Sequence, residues 1–329
     1  MAVKKLTTSA MIASIAEAGQ KTEKAPFGES LCRLAAAHEE VVGMTADLSK
    51  YTDLHIFAQK YPDRFYEMGM AEQLLMSAAA GIAREGFVPF VTTYAVFASR
   101  RAYDFICLAI AEEKLNVKIA CALPGLTTGY GPSHQATEDL AIFRGMPNLT
   151  IIDPCDALDI DQAVPAIYNW PGPVYMRLLR GQVPLVLDEY ADYKFEIGKA
   201  KRLTEGRDVL IISAGLMTMR ALEAAKALAK EGIGVSVLHS PTIKPLDEET
   251  IAAEAASGER LVVVAENHTC IGGLGEAVAS LLMRRGISRR FKQIALPDEF
   301  LKAGALPTLH DFYGISTKAI QASVKNWLK

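Results

Sequence analysis

Residues 65–86 read FYEMGMAEQLLMSAAAGIAREG. Phe65 to Met68 has the character of a short strand end, Gly69 supplies a turn, and from Ala71 the run is built of strong helix formers. In that helix Glu72 shares a face with Leu75, Met76, Ala79 and Ala83, while Gln73, Ser77 and Arg84 form the polar face. A carboxylate thus heads an apolar stripe in the first helical turn. Held there, it needs a partner or carries a raised pKa. The plainer alternative is a first-turn Glu that favours the helix dipole and touches water.

The same strand-to-helix step recurs on both sides of this stretch. Candidate strands are 41–47, 64–68, 88–94, 117–123, 149–153 and 174–178, alternating with helical stretches near 28–38, 53–60, 71–85, 97–114, 136–144 and 156–169. That is the βαβ signature of a mostly parallel sheet flanked by helices. The rhythm lapses over 181–207, which reads as a linker with room for a hairpin. It resumes with strands 208–215, 234–240, 260–266 and 291–297 and helices near 217–231, 247–257 and 273–285. The expected fold is α/β in two domains: a tail over 1–25, a first domain over 26–190, a linker over 191–207 and a second domain over 208–329.

The totals agree with a globular chain. Its 329 residues are 50% apolar and 22% charged, with a net charge of −3. That charge offers no footprint for nucleic acid, and no apolar run is long enough to span a bilayer. The N-terminal MAVKKLTTSAMIASIAEAGQ is interrupted by Glu17 and reads as a solvated tail or extra helix rather than a signal peptide. Five cysteines, none in a C-x-x-C pair, argue against disulfides and zinc and for a reducing, cytoplasmic setting.

In an open parallel sheet, ligands gather at the carboxyl ends of the strands. Asp47, Glu67 to Glu72, Thr92 to Phe97, Gly125 to His134 and Arg177 to Arg180 all follow such ends.

These clusters carry a resemblance. GMAEQ (69–73), TTYAVFASRRAYD (92–104), GLTTGYGPSHQATEDLA (125–141), MPNLTIIDPCD (146–156) and VYMRLLRG (174–181) occur in the order seen in transketolases and deoxyxylulose-phosphate synthases. VVVAENHTCIGGLGEAVA (262–279) is similar to the transketolase C-terminal domain. The full-length family also has a diphosphate-binding domain with a G-D-G motif and a following Asn that hold Mg²⁺ and thiamine diphosphate. No G-D-G occurs here. The resemblance therefore implies the pyrimidine-binding and C-terminal halves of a split transketolase, paired with a separate G-D-G-bearing subunit in a two-plus-two heterotetramer.

By that resemblance, Glu72 hydrogen-bonds the cofactor's pyrimidine and favours the imino tautomer that takes the thiazolium proton. Phe97 stacks on the ring, with Tyr94 beside it, and Asp47 lies at the cofactor edge of the subunit interface. His134 contacts donor-sugar hydroxyls, and Arg180, with Arg177, grips a sugar phosphate. The implied reaction moves a two-carbon ketol unit from a ketose to an aldose, with or without phosphates. Two positions depart from the family pattern: Tyr130 stands where an Asp usually reads the donor hydroxyls, and Tyr51 where a phosphate-site Ser is usual. Three alternatives remain: the beta subunit of a 2-oxo acid dehydrogenase, a deoxyxylulose-phosphate synthase-like enzyme, and a non-catalytic assembly subunit.

Overall fold

The computed structural model describes residues 15–16 and 19–329. Most of the expected tail or extra helix, residues 1–14 and 17–18, lies outside the described residues. The first half runs β1 (Thr22–Lys24), α1 (Pro26–Ala37), β2 (Val41–Thr45), α2 (His55–Lys60), β3 (Phe65–Glu67), α3 (Glu72–Arg84), β4 (Val88–Tyr94), α4 (Ala95–Arg101), the single turn α5 (Tyr103–Phe105), β5 (Lys118–Ala122), α6 (Asp139–Arg144), β6 (Thr150–Ile152), α7 (Ala157–Asn169), β7 (Val174–Leu178) and β8 (Gln182–Pro184). The second runs β9 (Lys201–Arg202), β10 (Val209–Ser213), α8 (Leu216–Ala229), β11 (Val235–His239), β12 (Thr242–Lys244), α9 (Glu248–Ala256), β13 (Leu261–Thr269), α10 (Leu274–Arg284), β14 (Phe291–Leu296), α11 (Leu306–Phe312) and α12 (Thr317–Leu328).

The first sheet has seven strands in the order β12-β6-β7-β5-β4-β2-β3, all parallel except β12, which is antiparallel to β6. Residues on successive strand positions serve opposite faces. Val88 and Phe90 of β4 join Phe27, Leu31, Ile160 and Val164 under α1 and α7, whereas Val91 joins Leu75, Met76 and Ala79 of α3. Both faces are covered, which explains the almost unbroken apolar strands. Each fully buried Leu or Met contributes roughly 1.5–3 kcal/mol of transfer free energy.

The second sheet has the order β14-β13-β10-β11-β9, parallel except for β9. Leu210, Ile212, Val262 and Val264 belong to the same apolar cluster as Met44 and Leu75, so one continuous core joins the two domains. A polar network reinforces the junction. Asp159 of α7 accepts from Tyr193 Oη at 2.6 Å and from the Cys155 amide at 2.8 Å, and lies 3.0 Å from His239 Nε2 of β11.

Two sequence expectations need correction, and one short strand was not foreseen. The segment 181–207 holds no hairpin: Gln182–Pro184 pairs with Thr22–Lys24, and Lys201–Arg202 pairs with β11. Residues 22–24 therefore already belong to ordered structure. The helix expected over 97–114 is broken. Ala102 leaves helical geometry at φ −109°, ψ 10°, and residues 106–111 form a π-helix. Ile106 and Ile110 are both fully buried in the core. Finally, β12 comes from the second half of the chain yet forms the edge of the first sheet.

Candidate active site

Strands β7, β5, β4, β2 and β3 are neighbours, and the residues after their carboxyl ends form one rim. Glu72 opens α3 and is only 4% exposed. It has a partner: Arg101 Nη1 donates to its two oxygens at 3.1 and 3.3 Å. The Arg101 guanidinium carbon also lies 4.0 Å from the centre of the Phe97 ring. Residues 97 and 101 are four apart on α4, which places the cation over the aromatic face. Arg101 itself remains half exposed.

An aromatic wall continues from Phe97. Its ring centre is 5.5 Å from both Tyr94 and His134, and Tyr130 stands 5.3 Å from His134. Arg180 lies 5.9 Å from the Tyr51 ring, and its buried Nε has no hydrogen-bond partner among the described residues. Burial pushes the Tyr94 phenol up to about 12, against the pull of the nearby Arg180 charge. Partial burial, then the Arg101 charge, holds His134 below the usual imidazole range. His134 is therefore neutral at pH 7 and able to donate to or accept from a hydroxyl. Its Nδ1 is 2.9 Å from Ser133 Oγ.

The loop that carries His134 is fixed from two sides. Arg100 donates to the carbonyls of Pro132 at 2.9 Å and Gln135 at 3.4 Å and pairs with Glu138. From the second domain, Asn267 Oδ1 accepts from the Leu126 amide at 2.8 Å and His310 Nε2 donates to the Leu126 carbonyl at 2.7 Å. Gly125 has φ +57°, and a Cβ there would lie 2.1 Å from the Asn267 carbonyl oxygen, so the loop can approach only without a side chain. On the opposite side of the rim, the Asp47 and Gly69 amides donate to Glu67 Oε1 at 2.6 and 2.9 Å. Asp47 is exposed at the rim.

Arg177 is not part of this rim, which corrects the expectation that it shares a substrate anion. It sits inside β7, 1% exposed, and spends its donors on Asp139 (2.7 and 2.8 Å), Asp153 (3.0 Å) and the Asn267 carbonyl (3.2 Å). Burial pushes Asp139 up, but the adjacent Arg177 charge outweighs it and holds the carboxyl below its usual range. Asp153 receives a single N–H from Arg177, and burial pushes it up. Arg180, past the strand end, stays at the rim.

Sequence reasoning missed Glu67, Arg100 and Arg101 as organisers of the site. The available signal was the i, i+4 spacing of Phe97 and Arg101. The donor set suits a flat, N–H-bearing ring: an acidic acceptor at one edge with an aromatic face alongside. A cavity of about 630 Å³ is lined by Arg220, Leu306, His310 and Thr317 and by none of these rim residues. Among the described residues no helix is long and apolar enough to cross a membrane.

Comparison with known proteins places this chain in a family. Residues 20–186 match the transketolase pyrimidine binding domain and residues 198–320 the transketolase C-terminal domain. An uncharacterized transketolase family protein of Sinorhizobium fredii, y4mN, is 73% identical over 98% of this chain and 94% of its own length. The 6-deoxy-6-sulfo-D-fructose transketolase subunit SqwH of a Clostridium species is 37% identical, over 89% of this chain and 90% of its own. A solved split-gene transketolase, described as an inactive β4 tetramer, superposes with a TM-score of 0.82 at 40% identity, covering 92% of this chain and 96% of that one. This chain belongs to the transketolase family and comprises its pyrimidine-binding and C-terminal domains.

Proposed function

We propose that this chain is one half of a two-chain, thiamine diphosphate-dependent transketolase that transfers a two-carbon ketol unit from a ketose to an aldose. The observation that carries the reading is Glu72: a carboxylate shielded from water, at a rim of strand ends, with the Phe97 face beside it. When bound, thiamine diphosphate supplies a carbon nucleophile that its own aminopyrimidine helps to deprotonate. Glu72 would hold the pyrimidine edge and Phe97 its face, with Tyr94 and Asp47 bordering them. The diphosphate and Mg²⁺ would be held by a partner bearing the G-D-G motif, in a two-plus-two assembly. The kinship to a split-gene transketolase and to a chain named as a transketolase subunit supports that division.

His134, neutral and backed by an immobilised loop, is placed to exchange hydrogen bonds with donor hydroxyls. Arg180 offers an open N–H for an anionic group at the far end of the substrate. Tyr51 beside Arg180 and Tyr130 beside His134 put aromatic rather than small or acidic side chains next to these two residues, which favours a donor or acceptor outside the usual sugar phosphates.

The test is co-expression with a G-D-G-bearing chain from a neighbouring reading frame. The pair should turn over ketose donors with added thiamine diphosphate and Mg²⁺, and this chain alone should not. Robust turnover by the lone chain would refute the two-chain reading. An intact pair in which Glu72→Ala leaves activity unchanged would support a non-catalytic assembly subunit instead.

A further inference from the structure

The Arg101 guanidinium lies at the rim beside Glu72 and Phe97. Arg101 Nη1 straddles both Glu72 oxygens, at 3.1 and 3.3 Å. The same guanidinium lies against the Phe97 ring, 4.0 Å from its centre. Its side chain is nevertheless 53% exposed, while Glu72 is almost fully covered, so the arginine can swing outward without unpacking the core. The neighbouring Arg100 is committed elsewhere, to the Pro132 and Gln135 carbonyls and Glu138. The two adjacent arginines therefore have separate partners: Arg100 fixes the loop that carries His134, and Arg101 lies against Glu72 and the Phe97 ring.

We infer that Arg101 is a built-in occupant of the cofactor's ring site, planar and N–H-bearing, whose guanidinium lies between Glu72 and Phe97 and must leave before a pyrimidine can bind. The inference rests on the proposed thiamine function. It adds that Arg101 neutralises the buried carboxylate whenever no cofactor ring is bound to it. Among the described residues Arg101 is the cation paired with Glu72, and a shielded carboxylate stripped of such a partner carries a desolvation penalty. The contact thus protects the unloaded chain, and it lowers apparent cofactor affinity by the fraction of time the pocket is self-occupied.

The experiment compares the wild-type pair with a pair carrying Arg101→Met, reading thiamine diphosphate binding by isothermal titration calorimetry and by stopped-flow fluorescence, both with Mg²⁺. A half-exposed ion pair that must be broken predicts a cofactor Kd about three- to tenfold tighter in Arg101→Met. In the wild type the association rate should level off at high cofactor, limited by departure of the arginine. In the variant it should rise in proportion to concentration. Arg101→Lys keeps the charge but loses the planar fork, and should fall between the two. Unchanged or weaker binding in Arg101→Met, with the wild type binding normally, overturns the inference and leaves the thiamine function standing. If the wild-type pair binds no thiamine diphosphate, the function itself fails and this inference with it.

Discussion

Arg177 grips Asp139 with two nitrogens, Nε at 2.8 Å and Nη2 at 2.7 Å, where neither side chain meets solvent. The same arginine reaches Asp153 and the carbonyl of Asn267, so one cation ties β7 to α6, to the end of β6 and to β13 of the other domain. Removing the cation strands two buried carboxylates. Arg177→Met is expected to cost about 3–5 kcal/mol, read as a fall in the denaturant midpoint of the purified chain. A loss below about 1 kcal/mol would show that the triad is not an essential tie.

Lys118 gives a pH signature. It opens β5, is fully buried, and donates to the carbonyls of Trp170 at 2.7 Å and Gly172 at 2.8 Å. Burial pushes its amine down to about 7 from 10.5. Between those values the unfolded chain binds more protons than the folded one, so stability rises with pH across that window, by at most about 1.4 kcal/mol per unit. Lys118→Met should flatten this slope between pH 7 and 10 in urea titrations. Equal slopes in both proteins would count against a neutral Lys118.

Glu72→Gln preserves the shape of the pocket and removes the charge. On the proposed mechanism, kcat of the assembled pair should fall about 10²–10⁴-fold. The elution volume of the pair on a sizing column should be unchanged. Assembly that fails together with activity would place Glu72 in the interface rather than in the chemistry.

Arg180→Met separates anion binding from the chemical step. For a phosphorylated substrate, KM should rise about ten- to hundredfold, the range expected for a lost charge-assisted hydrogen bond. A substrate without the phosphate should be nearly indifferent. Equal effects on both would argue that Arg180 supports the wall through Tyr51 instead.

Much of this was legible in the sequence, for identifiable reasons. Strands such as 88–94 and 174–178 were readable to the residue because strands covered on both faces are short runs rich in apolar, β-branched and aromatic residues. Glu72 stood out because a carboxylate on an apolar stripe is a local contradiction. Short segments were not legible. β12 is three residues between Pro241 and Pro245, and its strand character comes only from β6 beside it. α11 and α12 were missed although α12 buries Ile320 and Val324, because their apolar positions are sparse. Arg177 was misplaced although it lies inside the strand read at 174–178, because the linear pattern does not reveal whether a strand arginine serves the rim or a buried carboxylate pair. Only the three-dimensional partners Asp139 and Asp153 do.

The exchange of β12 has a consequence for any attempt to treat the halves as modules. Severing the chain anywhere between 191 and 200 leaves Thr242–Lys244 hydrogen-bonded to Ile151 and Ile152, so a protease-nicked molecule should stay in one piece under native conditions. Grafting the second domain of a relative onto this first domain would import a foreign border for β6, and discarding that domain would leave the border bare and prone to self-association.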